Sequence, residues 1–199
     1  ADFASPAVPL ALRLETNKAD RVLVVSDSGV GMTADEIETT IGTIAHSGAT
    51  AFIEQLQATK DGDASADVNL IGRFGVGFYS AFMAGAKVRV QSRSWDGSEG
   101  NEWVSDGTGS FTISECPGLH RGPKIIIELK EDAHDYAQKW KVESVIKQYS
   151  SIGPFPIKLD GETVNTVQAL WTRSRSEITE EEYTEFYKFI GNAADEPLF

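Results

Sequence analysis

The chain has one cysteine, Cys116, and only eighteen lysines and arginines against thirty aspartates and glutamates. A single thiol cannot close an intramolecular disulfide, which excludes a disulfide-stapled scaffold and favours a reducing compartment. A net charge of −12 leaves no broad attraction for nucleic acid or anionic lipid, and no local run of basic residues offsets it. Apolar runs approaching the roughly 20 residues that cross a bilayer are missing, as is a charged-then-apolar leader at Ala1. No G-x-x-x-x-G-K-[ST] occurs, so a Walker A loop is excluded. The sequence opens abruptly on ADFASPAVP and stops on Phe199 directly after a helical pattern, so a piece of a longer protein is expected.

What is present is enough apolar material for one substantial core: 41% of 199 residues. Leu10 to Thr16 alternates, Asn17-Lys18-Ala19-Asp20 is turn chemistry, and Arg21 to Ser26 is β-branched and apolar, which predicts a hairpin. Thr33 and Glu36 form a capping box that opens a helix from about Ala34 to Ile41. The stretch from Gly42 to Gly77 has weak secondary-structure signals and a polar insert, KDGDASAD; a long segment of this kind inside a domain suggests a lid over a site. Phe78 to Met83 reads as a buried helix. From Ala86 the runs KVRVQSR, NEWVSD, SFTISE and PKIIIELK, separated by Gly-containing turns, predict an antiparallel meander. Residues 132–150 read as one or two amphipathic helices, and FPIKLDGETV as a last hairpin. Helix and strand groups in this order, without a repeating βα unit, predict an α+β two-layer sandwich.

The chemistry concentrates at Asp27-Ser28-Gly29-Val30-Gly31-Met32, between a strand and a helix. Gly29 to Ala34 matches the G-x-G-x-x-A form of a dinucleotide-binding turn, but no βαβ crossover follows, and Asp27 would aim a negative charge near a pyrophosphate. The alternative is an adenine site. An ionised aspartate at a strand end is an acceptor-only group suited to an exocyclic amine, and neighbouring glycines let a flat base approach the backbone. A second glycine cluster, GRFGVGFYS, can turn amides toward phosphates.

Taken together, D-x-G-x-G-M, G-T-I-A-x-S-G and G-x-F-G-V-G-F-Y-S resemble the N-terminal ATPase domain of the heat shock protein 90 family, which shares the Bergerat (GHKL) fold with the DNA gyrase, MutL and histidine kinase groups. The similarity runs from about Leu10 to Gly161. It continues through QALWTRSRSEITEEEYTEFY, which resembles the start of that family's middle domain, and the short NTVQALW connection looks more like the mitochondrial and bacterial branch. The resemblance implies a mixed, largely antiparallel sheet with helices on one face, a nucleotide-binding domain over residues 1–161, and a linker with the start of a middle domain over 162–199. It implies ATP or ADP with Mg2+ as ligands and lid closure coupled to client protein folding. A homodimer in the full-length parent is implied too, in a mitochondrial matrix or a bacterial cytoplasm, with neither nucleic acid nor membrane as partner.

By resemblance, Asp27 accepts from the adenine amine, Gly31 and Met32 shape the base pocket, and Thr40, Ile41 and Gly42 border it. Ser47 and Gly48 belong to the lid. Gly72, Phe74, Gly75, Val76 and Gly77 form the phosphate loop, and Phe78 lines the pocket. Two departures matter. The family's R-E-L-I-x-N-x-x-D-A helix, source of a glutamate that activates water and an asparagine that helps hold magnesium, is nowhere in these 199 residues, so no catalytic or metal-binding residue is assigned. Pro123 stands where the family has a threonine after Arg-Gly, and a ring without N–H replaces a hydroxyl donor. Two other readings stay open: a binding-only adenine-nucleotide module, and a gyrase-like or MutL-like ATPase. His46 reads as a solvated lid residue, Cys116 and His120 as loop residues without metal partners, and Trp95, Trp103, Trp140 and Trp171 as packing anchors.

Overall fold

The computed structural model describes residues 9–43, 76–153, 155–165, 170, 174–191 and 195. One eight-stranded sheet organises them. Strands β1 (Leu12–Asn17) and β2 (Val22–Asp27) form the expected hairpin, closed by Asn17, whose amide donates to the Asp20 carboxylate at 2.7 Å and whose side-chain carbonyl accepts from Asp20 N–H. Helix α1 (Ala34–Thr40) opens on the complete Thr33–Glu36 capping box. A 3-10 turn at Gly77–Ser80 leads into the four-residue α2 (Ala81–Ala84). There follow β3 (Gly85–Arg93), β4 (Asn101–Ser105), β5 (Phe111–Glu115) and β6 (Gly122–Leu129). A 3-10 stretch at Glu131–Ala137, α3 (Lys139–Tyr149), β7 (Ile157–Leu159) and β8 (Glu162–Thr163) come next. Beyond them α4 (Glu180–Gly191) starts on a second capping box, in which Thr179 and Glu182 exchange bonds at 2.9 and 3.2 Å.

The strand order is β5-β4-β3-β6-β2-β1-β7-β8. It corrects the meander expected from the sequence. Strands β3, β4 and β5 do follow one another, but β6 returns to the far side of β3 and pairs with both β3 and β2. Composition explains its central place. Ile127 and Leu129 are buried under helices and Ile126 is buried on the opposite face, and a strand apolar on both sides belongs inside a sheet. The last hairpin turns on Asp160 and Gly161, both at positive φ (47° and 90°), as a two-residue Asp-Gly connection requires. Its first strand lies parallel to β1, which makes the sheet mixed.

Alternation assigns the two faces. On one, Ile37 of α1 packs with Val88, Val90 and Trp103. On the same face Ala133 and Ala137 pack with Ile127 and Leu129, and Val142 and Ile146 of α3 with Ile157, Leu159, Leu12, Leu14 and Leu23. The other face carries Arg13, Ser26, Lys124, Gln91 and Glu102 in one cross-strand row. Residues 78–83 are not the buried helix the sequence predicts. A short helical turn directs only one side inward, so Phe78, Ala81 and Phe82 reach the core while Met83 is 80% exposed. Of the tryptophans, Trp103 is a core anchor, Trp95 is 40% exposed and Trp140 59%, and Trp171 lies outside the described residues.

Candidate functional site

Asp27 ends β2. Its register partner is Leu12, which packs beneath α3, so the Asp27 side chain leaves the sheet on the helix-covered face. One carboxylate oxygen, Oδ1, accepts from the Gly29 N–H at 2.7 Å. The other has no donor among the described residues. Burial raises the Asp27 pKa above the ordinary 3.8, opposed in part by the bond from Gly29. A partly desolvated carboxylate is a stronger acceptor than one in bulk water.

The turn after Asp27 is held with no spare room. Gly31 has φ +68°, and a Cβ there would sit 1.9 Å from the Arg93 carbonyl oxygen. Gly122 has φ +105°, and its Cβ would sit 2.4 Å from the Asp27 carbonyl oxygen. Only glycine allows the β2 turn and the start of β6 to meet the end of β3 this closely. Arg121 adds a bond from Nη2 to Ser28 O at 3.2 Å, the Met32 N–H donates to the buried Ser92 hydroxyl at 2.8 Å, and the Ser28 hydroxyl donates to Pro9 O at 2.8 Å.

Met32, Ile41 and Phe78 come together over Val88, Val90 and Trp103, so three of the residues expected at the site share one apolar cluster. Phe78 also meets Trp103 edge-on, ring centroids 5.6 Å apart. The Tyr79 hydroxyl donates to Ile41 O at 2.8 Å and ties the end of α1 to the turn that begins at Gly77. Gly42 lies against Phe111, and Thr40 is half-buried at the end of α1. Val76 and Gly77 are exposed, and a Cβ on Gly77 would meet nothing within 4 Å among the described residues. Pro123 stands opposite Ser92 on β3, on the face Asp27 uses. Ser47, Gly48, Gly72, Phe74 and Gly75, with His46, lie outside the described residues.

A cavity of about 400 Å³ is lined by Asp27 and Pro123 together with Arg13, Ser26, Gln91 and Lys124, which the register places on the opposite face. Among the described residues no group of three or more His, Cys, Asp or Glu side chains could hold a metal.

Sequence reasoning missed Ser92, and it noted Arg121 and Gly122 only as the pair before Pro123, without a role for either. Ser92 had left a trace: in KVRVQSR it falls in phase with Val88 and Val90, a polar residue in an apolar register. The roles of Gly122 and Arg121 become visible only once β6 is placed beside β2.

Comparison with known proteins agrees with this geometry. Residues 3–115 match the family described as histidine kinase-, DNA gyrase B-, and HSP90-like ATPase, and residues 158–199 match the Hsp90 protein family. The chain belongs to this ATPase family of nucleotide-binding α+β folds. Within that class its relatives place it on the Hsp90 branch. It is 59% identical over 193 residues to the chaperone protein HtpG of Desulfotalea psychrophila, covering 96% of this chain and 30% of that protein. It is 43% identical over 194 residues to the mitochondrial TNF receptor-associated protein 1 homolog of Dictyostelium discoideum (97% and 27%). Against the mitochondrial heat shock protein 75 kDa of Rattus norvegicus it is 42% identical over 191 residues (96% and 26%). The chain thus spans about a third or less of the length of these relatives.

Proposed function

We propose that the chain is the ATP-binding portion of an Hsp90-type molecular chaperone and that Asp27 reads the adenine amine. The observation that carries this reading is the Asp27 carboxylate: Oδ1 is held by Gly29 and Oδ2 has no donor among the described residues, on the face of the sheet where Met32, Ile41 and Phe78 gather. In this reading Gly31 lets the base lie against the backbone and Met32 forms the apolar floor. Thr40, Ile41, Gly42 and Phe78 border the pocket, and Pro123 lies at the far edge of the base. Gly72, Phe74, Gly75, Val76 and Gly77 carry the phosphates, with Ser47 and Gly48 in the lid.

The proposed boundary lies after the β7–β8 hairpin, near residue 161, with the start of a middle domain beyond it. For the parent protein the proposal is ATP hydrolysis coupled to client folding in a homodimer, with Mg2+ on the phosphates. These 199 residues contain no R-E-L-I-x-N-x-x-D-A, which supports a second reading for the chain by itself: binding without turnover. The bacterial relatives at 59% and 52% identity favour a bacterial cytoplasm over a mitochondrial matrix as its location.

The test is calorimetric titration of ADP and magnesium into the chain and its Asp27→Asn variant. Saturable binding that the variant loses by about a hundredfold supports the reading, because asparagine replaces a charged acceptor by a weaker, neutral one. Equal binding by both proteins removes Asp27 from the site. Phosphate release by the wild-type chain with ATP would remove the second reading.

A further inference from the structure

Ser92 has no exposed surface and faces the helices with Val88 and Val90. Its hydroxyl accepts the Met32 N–H at 2.8 Å across 60 residues of sequence. The same stretch of chain makes two more contacts with the turn. The Arg93 carbonyl occupies the space where Gly31 would carry a Cβ, and the Trp95 N–H donates to Val30 O at 2.7 Å. Three consecutive residues, Val30, Gly31 and Met32, are thus braced by the end of β3 and the residues just after it. The brace is itself anchored. The Arg93 guanidinium donates to Ser98 O at 3.2 Å, to Leu119 O at 3.3 Å and to Gly97 O at 3.4 Å.

Two of the three contacts are made by main-chain atoms and survive a change of side chain. The third depends on one hydroxyl. We propose that Ser92 is a positioning residue for the base half of the pocket, acting through Met32; this rests on the adenine reading above. Ser92 does not touch the phosphates in this scheme. Its loss leaves the Met32 N–H without a partner in a half-buried setting, and the turn regains freedom at the point where the base must lie flat.

The test measures adenosine and ADP affinity for the whole 199-residue chain and for Ser92→Ala, Ser92→Thr and Asp27→Asn. Expected is a loss of about tenfold for both ligands in Ser92→Ala. The ratio of ADP to adenosine affinity stays unchanged, because only the base half is disturbed. Ser92→Thr, which restores a hydroxyl, binds within about twofold of wild type. A general loosening of the fold would instead change that ratio. Should Ser92→Ala fail to fold, Ser92→Cys supplies the same comparison with a weaker acceptor at similar size. Wild-type affinity in Ser92→Ala, a loss confined to ADP, or failure of threonine to rescue overturns the proposal. If ADP binds, is lost in Asp27→Asn and is untouched by Ser92→Ala, only the Ser92 proposal falls. If the wild-type chain binds neither ligand, the adenine reading falls and takes this one with it.

Discussion

The two halves of the candidate site are built to opposite tolerances. At the Asp27 end, Gly31 and Gly122 fill gaps that admit no further atom, and the turn is tied to β3 and to Arg121 by hydrogen bonds. At the Gly77 end, the same hypothetical Cβ meets nothing within 4 Å among the described residues, and Val76 is 53% exposed. A base is flat, of fixed shape and read by a few directional bonds, so a rigid frame suits it. A chain of phosphates carries diffuse charge and is satisfied by many amide arrangements, so an open frame suffices. Glycine serves both ends for different reasons. At Gly31 and Gly122 it permits close backbone approach at positive φ, whereas at Gly77 it leaves space.

The most severe way to break that contrast is Gly31→Ala. It combines a positive φ with a clash against a backbone carbonyl that cannot rotate away, and the expected cost is about 3 kcal/mol or more of folding stability, read by denaturant unfolding. A stable Gly31→Ala protein would refute the tight frame.

Lowering pH probes the same end without mutation. Because burial raises the Asp27 pKa above 3.8, the folded state takes up the proton before the unfolded state does. The sign follows: between 3.8 and the raised value the native protein binds more protons, so the Asp27 share of stability falls as pH rises through this window. The penalty for its charge is complete above the raised pKa and absent below 3.8. The proposed adenine contact runs the other way, since Asp27 would have to be ionised to accept. Affinity is expected to weaken as pH falls from neutrality toward the raised pKa, and Asp27→Asn should flatten the profile. Calorimetry over that range checks both.

Pro123→Thr sharpens the frame. A hydroxyl is added on the Asp27 face, opposite Ser92, and about a threefold to tenfold gain in nucleotide affinity is expected. No gain on titration would place Pro123 outside the pocket. Gly77→Ala is the mildest change. With nothing among the described residues for the methyl to meet, stability should stay within about 0.5 kcal/mol in thermal unfolding, and a larger loss would show that Gly77 is packed against other parts of the chain.

How legible all this was in the sequence varied with the range of the interaction. The β1–β2 hairpin, the Thr33–Glu36 cap and the Asp160-Gly161 turn depend on neighbours within a few residues, and each could be read directly. The position of β6 depends on burial of both faces, which PKIIIELK hinted at through its run of isoleucines but did not fix. The parallel pairing of β1 with β7 had no local signal at all. Residues 78–83 misled because Phe, Ala, Phe and Met suggest full burial, whereas a short helical turn can bury only one side. Ser92, Arg121 and Gly122 act only through tertiary proximity, so a motif search centred on Asp27 passes over them.

The β1–β7 pairing has a consequence for how the chain is made. Thr16 N–H and the Thr16 hydroxyl both bond to the Asp160 carboxylate, 144 residues downstream, so one side of β1 stays unpaired until that part of the message has been translated. At typical synthesis rates of about 5–20 residues per second, the wait is roughly 7–30 seconds. Throughout that interval the nascent hairpin presents an open strand edge beside the ribosome, where another chain could pair with it before β7 emerges.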